Sequence, residues 1–98
     1  MNNTPGYIKR IEENIVWTKL DDTAIIILTN ENEEKVFNLN KTAAYVWENC
    51  DGTKTLEDMV RLLCERFNVD EITARKDTEE FVALMEKNQL ISLACGVV

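Results

Sequence analysis

The chain contains no histidine. That removes the side chain that most often serves as a general base or metal ligand near neutral pH. It also removes every histidine-based arrangement for activating a nucleophile. Glycine is scarce, and Gly6, Gly52 and Gly96 are the only three, so a glycine-rich phosphate cradle cannot be built. No unbroken apolar run, Ala24 to Leu28 included, exceeds five residues, far short of the roughly 20 residues that cross a bilayer as a helix. The opening residues after Met1, Asn-Asn-Thr-Pro-Gly, lack the basic flank and apolar stretch of a secretory signal. Cysteine is limited to Cys50, Cys64 and Cys95, an odd number without a CxxC pair. They read as small, buried thiols in a reducing cytoplasm. The expectation is a cytoplasmic protein with no catalytic residue, no cofactor and no metal.

What is present is an ordinary globular composition. The chain has 98 residues, of which 45% are hydrophobic and 30% charged, enough for one domain with one modest core. Eighteen acids against eleven bases leave a formal charge of −7. That balance opposes binding to a broad phosphate surface, which works by Lys and Arg neutralisation. The acids gather at Asp21-Asp22, at Glu31, Glu33 and Glu34, and at Glu79-Glu80. Such clusters on a small domain read as solvated faces rather than paired catalytic carboxyls, which need burial to shift their pKa.

The chain organises around residues 36–52. Val36 to Leu39 reads as the end of a strand, and Asn40 as an N-cap whose side chain serves the first free N–H groups. Ala43, Val46, Trp47 and Cys50 lie on one helical face. Asp51-Gly52 is expected to stop that helix, since glycine enters the left-handed region at low cost. Upstream, Ile15 to Leu20 and Ala24 to Thr29 read as strands, the second apolar enough to be buried on both faces. Asp21-Asp22 and Asn30 to Glu33 are turns, so strands 15–20, 24–29 and 35–39 form an antiparallel meander.

Downstream, Thr55 and Asp58 predict a capping box. Leu56, Met59, Val60, Leu63, Cys64 and Phe67 then form a core stripe. Asp70 or Thr73 caps a third helix running to about residue 88, with Ala74, Thr78, Phe81, Val82 and Met85 inward and Ile72 and Leu84 flanking. Leu90 to Leu93 is a short extended return. Residues 1–14, with a turn at Pro5-Gly6, read as a flexible arm, residues 15–93 as the domain and residues 94–98 as a tail. The fold class is α+β: a winged helix-turn-helix-like arrangement of a three-stranded antiparallel sheet followed by three helices.

A winged helix suggests DNA, but the third helix carries Asp70, Glu71, Asp77, Glu79, Glu80 and Glu86 against Arg75, Lys76 and Lys87. That is the wrong sign for a helix between phosphates. The third strand is a sheet edge unless something covers it. An open edge can accept an extended peptide, or its charges can simply guard against aggregation; composition leaves both open.

The run Phe37-Asn38-Leu39-Asn40-Lys41-Thr42-Ala43-Ala44-Tyr45-Val46-Trp47 through Asp51-Gly52, then Thr55-Leu56, Phe67, Asp77 to Val82 and Gln89-Leu90-Ile91, resembles the PqqD family. The likeness spans residues 15–93; Gln89 departs from it, standing where the family often has glycine. The resemblance implies a RiPP recognition element, a non-catalytic domain that binds the leader of a ribosomally made precursor peptide. Such a domain presents the leader to a modifying enzyme such as a radical SAM enzyme or a leader peptidase. The leader would dock as an antiparallel strand on the third strand, beside the third helix. Carried onto this chain, Lys35, Val36, Phe37 and Asn38 supply the edge, and Arg75, Thr78, Glu79 and Val82 the helix side. The alternatives are a scaffold subunit of a modifying enzyme with no peptide affinity, and a DNA-binding winged helix. Neither nucleic acid nor membrane is an expected partner.

Overall fold

The computed structural model describes residues 6–29 and 32–95. Pro5, Asn30-Glu31, the end of the tail at 96–98 and the side chain of Cys95 lie outside the described residues. The order is β1 (Gly6–Arg10), β2 (Ile15–Leu20), β3 (Thr23–Thr29), β4 (Glu34–Leu39), α1 (Lys41–Glu48), β5 (Asp51–Lys54), α2 (Leu56–Phe67), α3 (Glu71–Lys87) and β6 (Ile91–Cys95). The expected meander is present as an antiparallel sheet in the order β2-β3-β4. Its inner face is sealed by Ala24 and Ile26. Its outer face carries the cross-strand row Val16–Ile27–Val36, with Val16 and Val36 exposed and Ile27 half-buried. So β3 is buried on one face only, because nothing in the described chain covers the other.

The helix ends follow their sequences. The Asn40 side chain accepts from the Ala43 N–H at 2.9 Å. Thr55 and Asp58 close the capping box in both directions, and the Asp70 carboxylate accepts from the Thr73 N–H at 3.0 Å. α3 stops in a Schellman arrangement: Leu90 N–H bonds to Met85 O and Gln89 N–H to Glu86 O. Gln89 sits there at φ 62°, the left-handed conformation that favours glycine.

A second antiparallel sheet, ordered β5-β1-β6, departs from the sequence reading. Residues 6–10 are its middle strand rather than a loosely ordered arm, and Ile8 is 1% exposed. Asp51-Gly52 does not stop α1, which ends at Glu48 with Asn49 as its cap. Instead 51–54 pairs with β1 through a bulge between Ile8 and Lys9, and Gly52 takes φ 89° there. The Lys9 side chain lies 3.5 Å from where a Cβ on Gly52 would stand.

Arg10 ties the two sheets together. It donates to Trp47 O at 3.0 Å and Glu48 O at 2.9 Å, meeting the negative end of the α1 dipole. Its guanidinium also lies 5.2 Å from the Trp17 ring centre and 5.9 Å from that of Trp47, within cation–π range. Trp47, Met59, Leu63, Met85, Leu90 and Ile91 join Ile8 and Ile26 in one buried cluster. No described helix is long and apolar enough to cross a membrane.

Candidate functional site

β4 is an outer strand of its sheet, and its register tells which backbone groups point outward. In an antiparallel strand the N–H and C=O of one residue point to the same side, and the side alternates along the chain. The Thr29 N–H donates to Asn14 O at 2.9 Å, so Thr29, Ile27 and Ile25 face β2. Ala24, Ile26 and Leu28 therefore face β4, where they pair with Leu39, Phe37 and Lys35. Those three spend their backbone groups on β3. Glu34, Val36 and Asn38 turn theirs to the open side.

The side chains divide by the same alternation. Phe37 is half-buried toward the core, and Val36 and Asn38 are exposed on the outer face. Lys35 shares the inner face with Phe37 but lies at the exposed start of the strand.

Where β4 ends, a cavity of about 270 Å3 begins. Asn40, Thr42, Ala43 and Val46 form one side, Leu63 lies in its wall, and Asp77, Glu80, Phe81 and Leu84 of α3 form the other. The spacing 77, 80, 81, 84 is one helical face. Leu84 is 49% exposed and Phe81 half-buried, so an apolar surface stays within reach of a visitor. Asp77 and Glu80 are exposed and enter no ion pair among the described residues.

The helix residues expected from the resemblance are not brought to this side. Arg75 is held between α2 and α3, its Nη2 at 2.9 Å from Glu57 and 3.0 Å from Glu71. Thr78 is fully buried and donates to Ala74 O at 2.7 Å. Val82 is 8% exposed. Glu79 and Val82 line a different cavity of about 390 Å3, on the other flank of α3, with Gly6, Ile8, Leu56 and Leu93. The reason is rotational. Ala74, Thr78, Val82 and Met85 form the buried stripe, and the face beside α1 lies about 100° round from Thr78, at Asp77 and Phe81. Apolar Phe81 and Leu84, adjacent to that stripe, are the sequence signal for this face.

Cys50 is fully buried, its thiol donates to Val46 O at 3.1 Å, and burial pushes its pKa up to about 12. It is a packed thiol rather than a nucleophile. Among the described residues no three His, Cys, Asp or Glu side chains are grouped to hold a metal ion.

β4 therefore presents an open edge that leads into a cleft beside α3. The family model described as coenzyme PQQ synthesis protein D, PqqD, matches residues 17–91. The chain belongs to the PqqD family. The PqqD match takes in β2 to α3 and stops where β6 begins, so β1 lies outside it. No curated protein matches the chain. Among solved structures, TbiB1 in complex with the TbiA(beta) leader peptide has a TM-score of 0.71 at 20% identity, covering 91% of this chain and 98% of that one. At that identity the likeness establishes that this PqqD-family chain shares the fold.

Proposed function

We propose that this PqqD-family protein is a non-catalytic adaptor. It captures the leader of a ribosomally made precursor peptide as an added antiparallel strand on β4, and delivers it to a modifying enzyme such as a radical SAM enzyme or a leader peptidase. The observation that carries this reading is the outward N–H and C=O groups of Val36 and Asn38 on an edge that runs into the cleft between α1 and α3. Family membership and the fold of a protein solved with a leader peptide support it. β2 is the other edge of the same sheet, but it does not lead into that cleft.

Strand addition suits a leader physically. Backbone hydrogen bonds give affinity that tolerates sequence change, and alternate side chains entering a cleft give selectivity. A micromolar complex needs about −8 kcal/mol, within reach of a short added strand with one or two buried anchors.

The register supplies a clean test. Val36→Pro removes an outward N–H and leaves the β3 ladder whole, because proline is tolerated on the free side of an edge strand. Titration of the labelled domain with leader segments encoded beside its gene is expected to shift residues 34–40 and 77–84 in the wild type. In Val36→Pro the affinity falls by about tenfold or more, from a lost hydrogen bond and a distorted strand, while the thermal midpoint stays near wild type. Equal affinity for both proteins sinks the strand-addition reading.

A further inference from the structure

A strand running antiparallel to β4 has its N-terminal end beside Leu39 and Asn40, where the cavity opens. Cross-strand partners share a face, so its residue opposite Phe37 turns inward. The residues before that one pass over Asn40, Thr42 and Ala43 toward α3. The surface they meet is apolar at Phe81 and Leu84, over the buried Val46 and Leu63, and acidic at Asp77 and Glu80.

The charges around this end leave an excess of acid: Lys76, one turn before Glu80, stands against both Asp77 and Glu80 and enters no ion pair among the described residues. Arg75 is drawn to the opposite flank of α3 by Glu57 and Glu71. Lys41, at the start of α1, has its Nζ 3.6 Å from Asp22. The amino end of α1 would attract an anion, but Asn40 already occupies the Ala43 N–H. The net charge of −7 adds the same sign at longer range, which steers cationic partners inward and turns acidic ones away.

On the adaptor reading above, we infer that the cleft selects leaders whose docking segment carries a lysine or arginine beside an apolar anchor at its N-terminal end. The anchor packs on Phe81 and Leu84, and the cation meets Asp77 and Glu80. These two carboxylates are specificity determinants; the edge of β4 supplies sequence-tolerant affinity.

The test is selection of a random peptide display library on the full chain, repeated on Asp77→Asn/Glu80→Gln and on Val36→Pro. Both carboxylates are exposed, so the double variant is expected to fold as the wild type does. Wild-type binders are expected to be enriched in Lys or Arg next to an apolar residue, with the enrichment lost in the double variant. An enriched peptide should bind the double variant about five- to tenfold more weakly at low salt, with the gap closing as salt rises. Binders that need an intact Val36 edge but carry no basic enrichment, or keep it in the double variant, overturn this inference alone. Binders indifferent to Val36→Pro, or a library that yields none, overturn the adaptor reading and this inference with it.

Discussion

The two sheets of this molecule are built in opposite ways. β2, β3 and β4 follow one another in the chain and pair as neighbours. β5, β1 and β6 come from residues 51–54, 6–10 and 91–95 and meet only in the folded state. The first sheet leaves Val16 and Val36 exposed on one face and the backbone of β4 free along one side. In the second, the middle strand buries Ile8 and its neighbour β6 buries Ile91. Closing the longer chain loops costs more entropy, and the second sheet offsets it with apolar burial and with the Arg10 contacts to α1. The comparison teaches a division of labour. The long-range sheet buries its middle strand in the core, and the local sheet leaves the β4 edge open.

The sharpest way to break that comparison is a pair of truncations. Ile8→Ala should cost about 2–5 kcal/mol, the range for deleting a buried aliphatic side chain. Val16→Ala, on the exposed face of the other sheet, should stay within about 0.5 kcal/mol. Urea unfolding of both measures the contrast, and similar costs would remove it. Next in size is Arg10→Ala, which deletes two charge-assisted hydrogen bonds to α1 and two ring contacts. A loss of about 1.5–3 kcal/mol is expected, with peptide affinity at the β4 edge nearly unchanged when measured well below the new midpoint.

The smallest effect is an acid one on β5. The Thr53 hydroxyl donates to Asp51 at 2.6 Å and holds its pKa at about 2, below the ordinary 3.8. A carboxyl whose pKa is lowered by folding contributes its full share above the ordinary value, and loses it as pH falls toward the folded one. Asp51 is exposed, so solvent screens most of that gain. Thermal midpoints between pH 4 and pH 2 should fall slightly less steeply in Asp51→Asn than in wild type. Identical slopes would show that the β5 turn adds nothing to the acid response.

Much of this was legible residue by residue. Asn40, Thr55 with Asp58, and Asp70 each mark a helix start whose side chain serves a backbone N–H one turn on. The α2 stripe of Met59, Val60 and Leu63 reads directly as core. Other parts carried no local signal. Gly6 to Arg10 offers only Tyr7 and Ile8 as apolar residues, too few for a period. Asp51 to Lys54 has the composition of a turn and becomes a strand only because β1 lies beside it.

The sequence by itself determined the helices, their N-caps, the meander and the lack of histidine chemistry, because each rests on residues a few positions apart. Tertiary structure alone decided that the N-terminal strand sits between β5 and β6, and that Asp77, Glu80, Phe81 and Leu84 rather than Arg75, Thr78, Glu79 and Val82 face the cleft. One residue turns a helix face by about 100°. Which face meets α1 is settled only when α1, α2 and both sheets are packed against it at once.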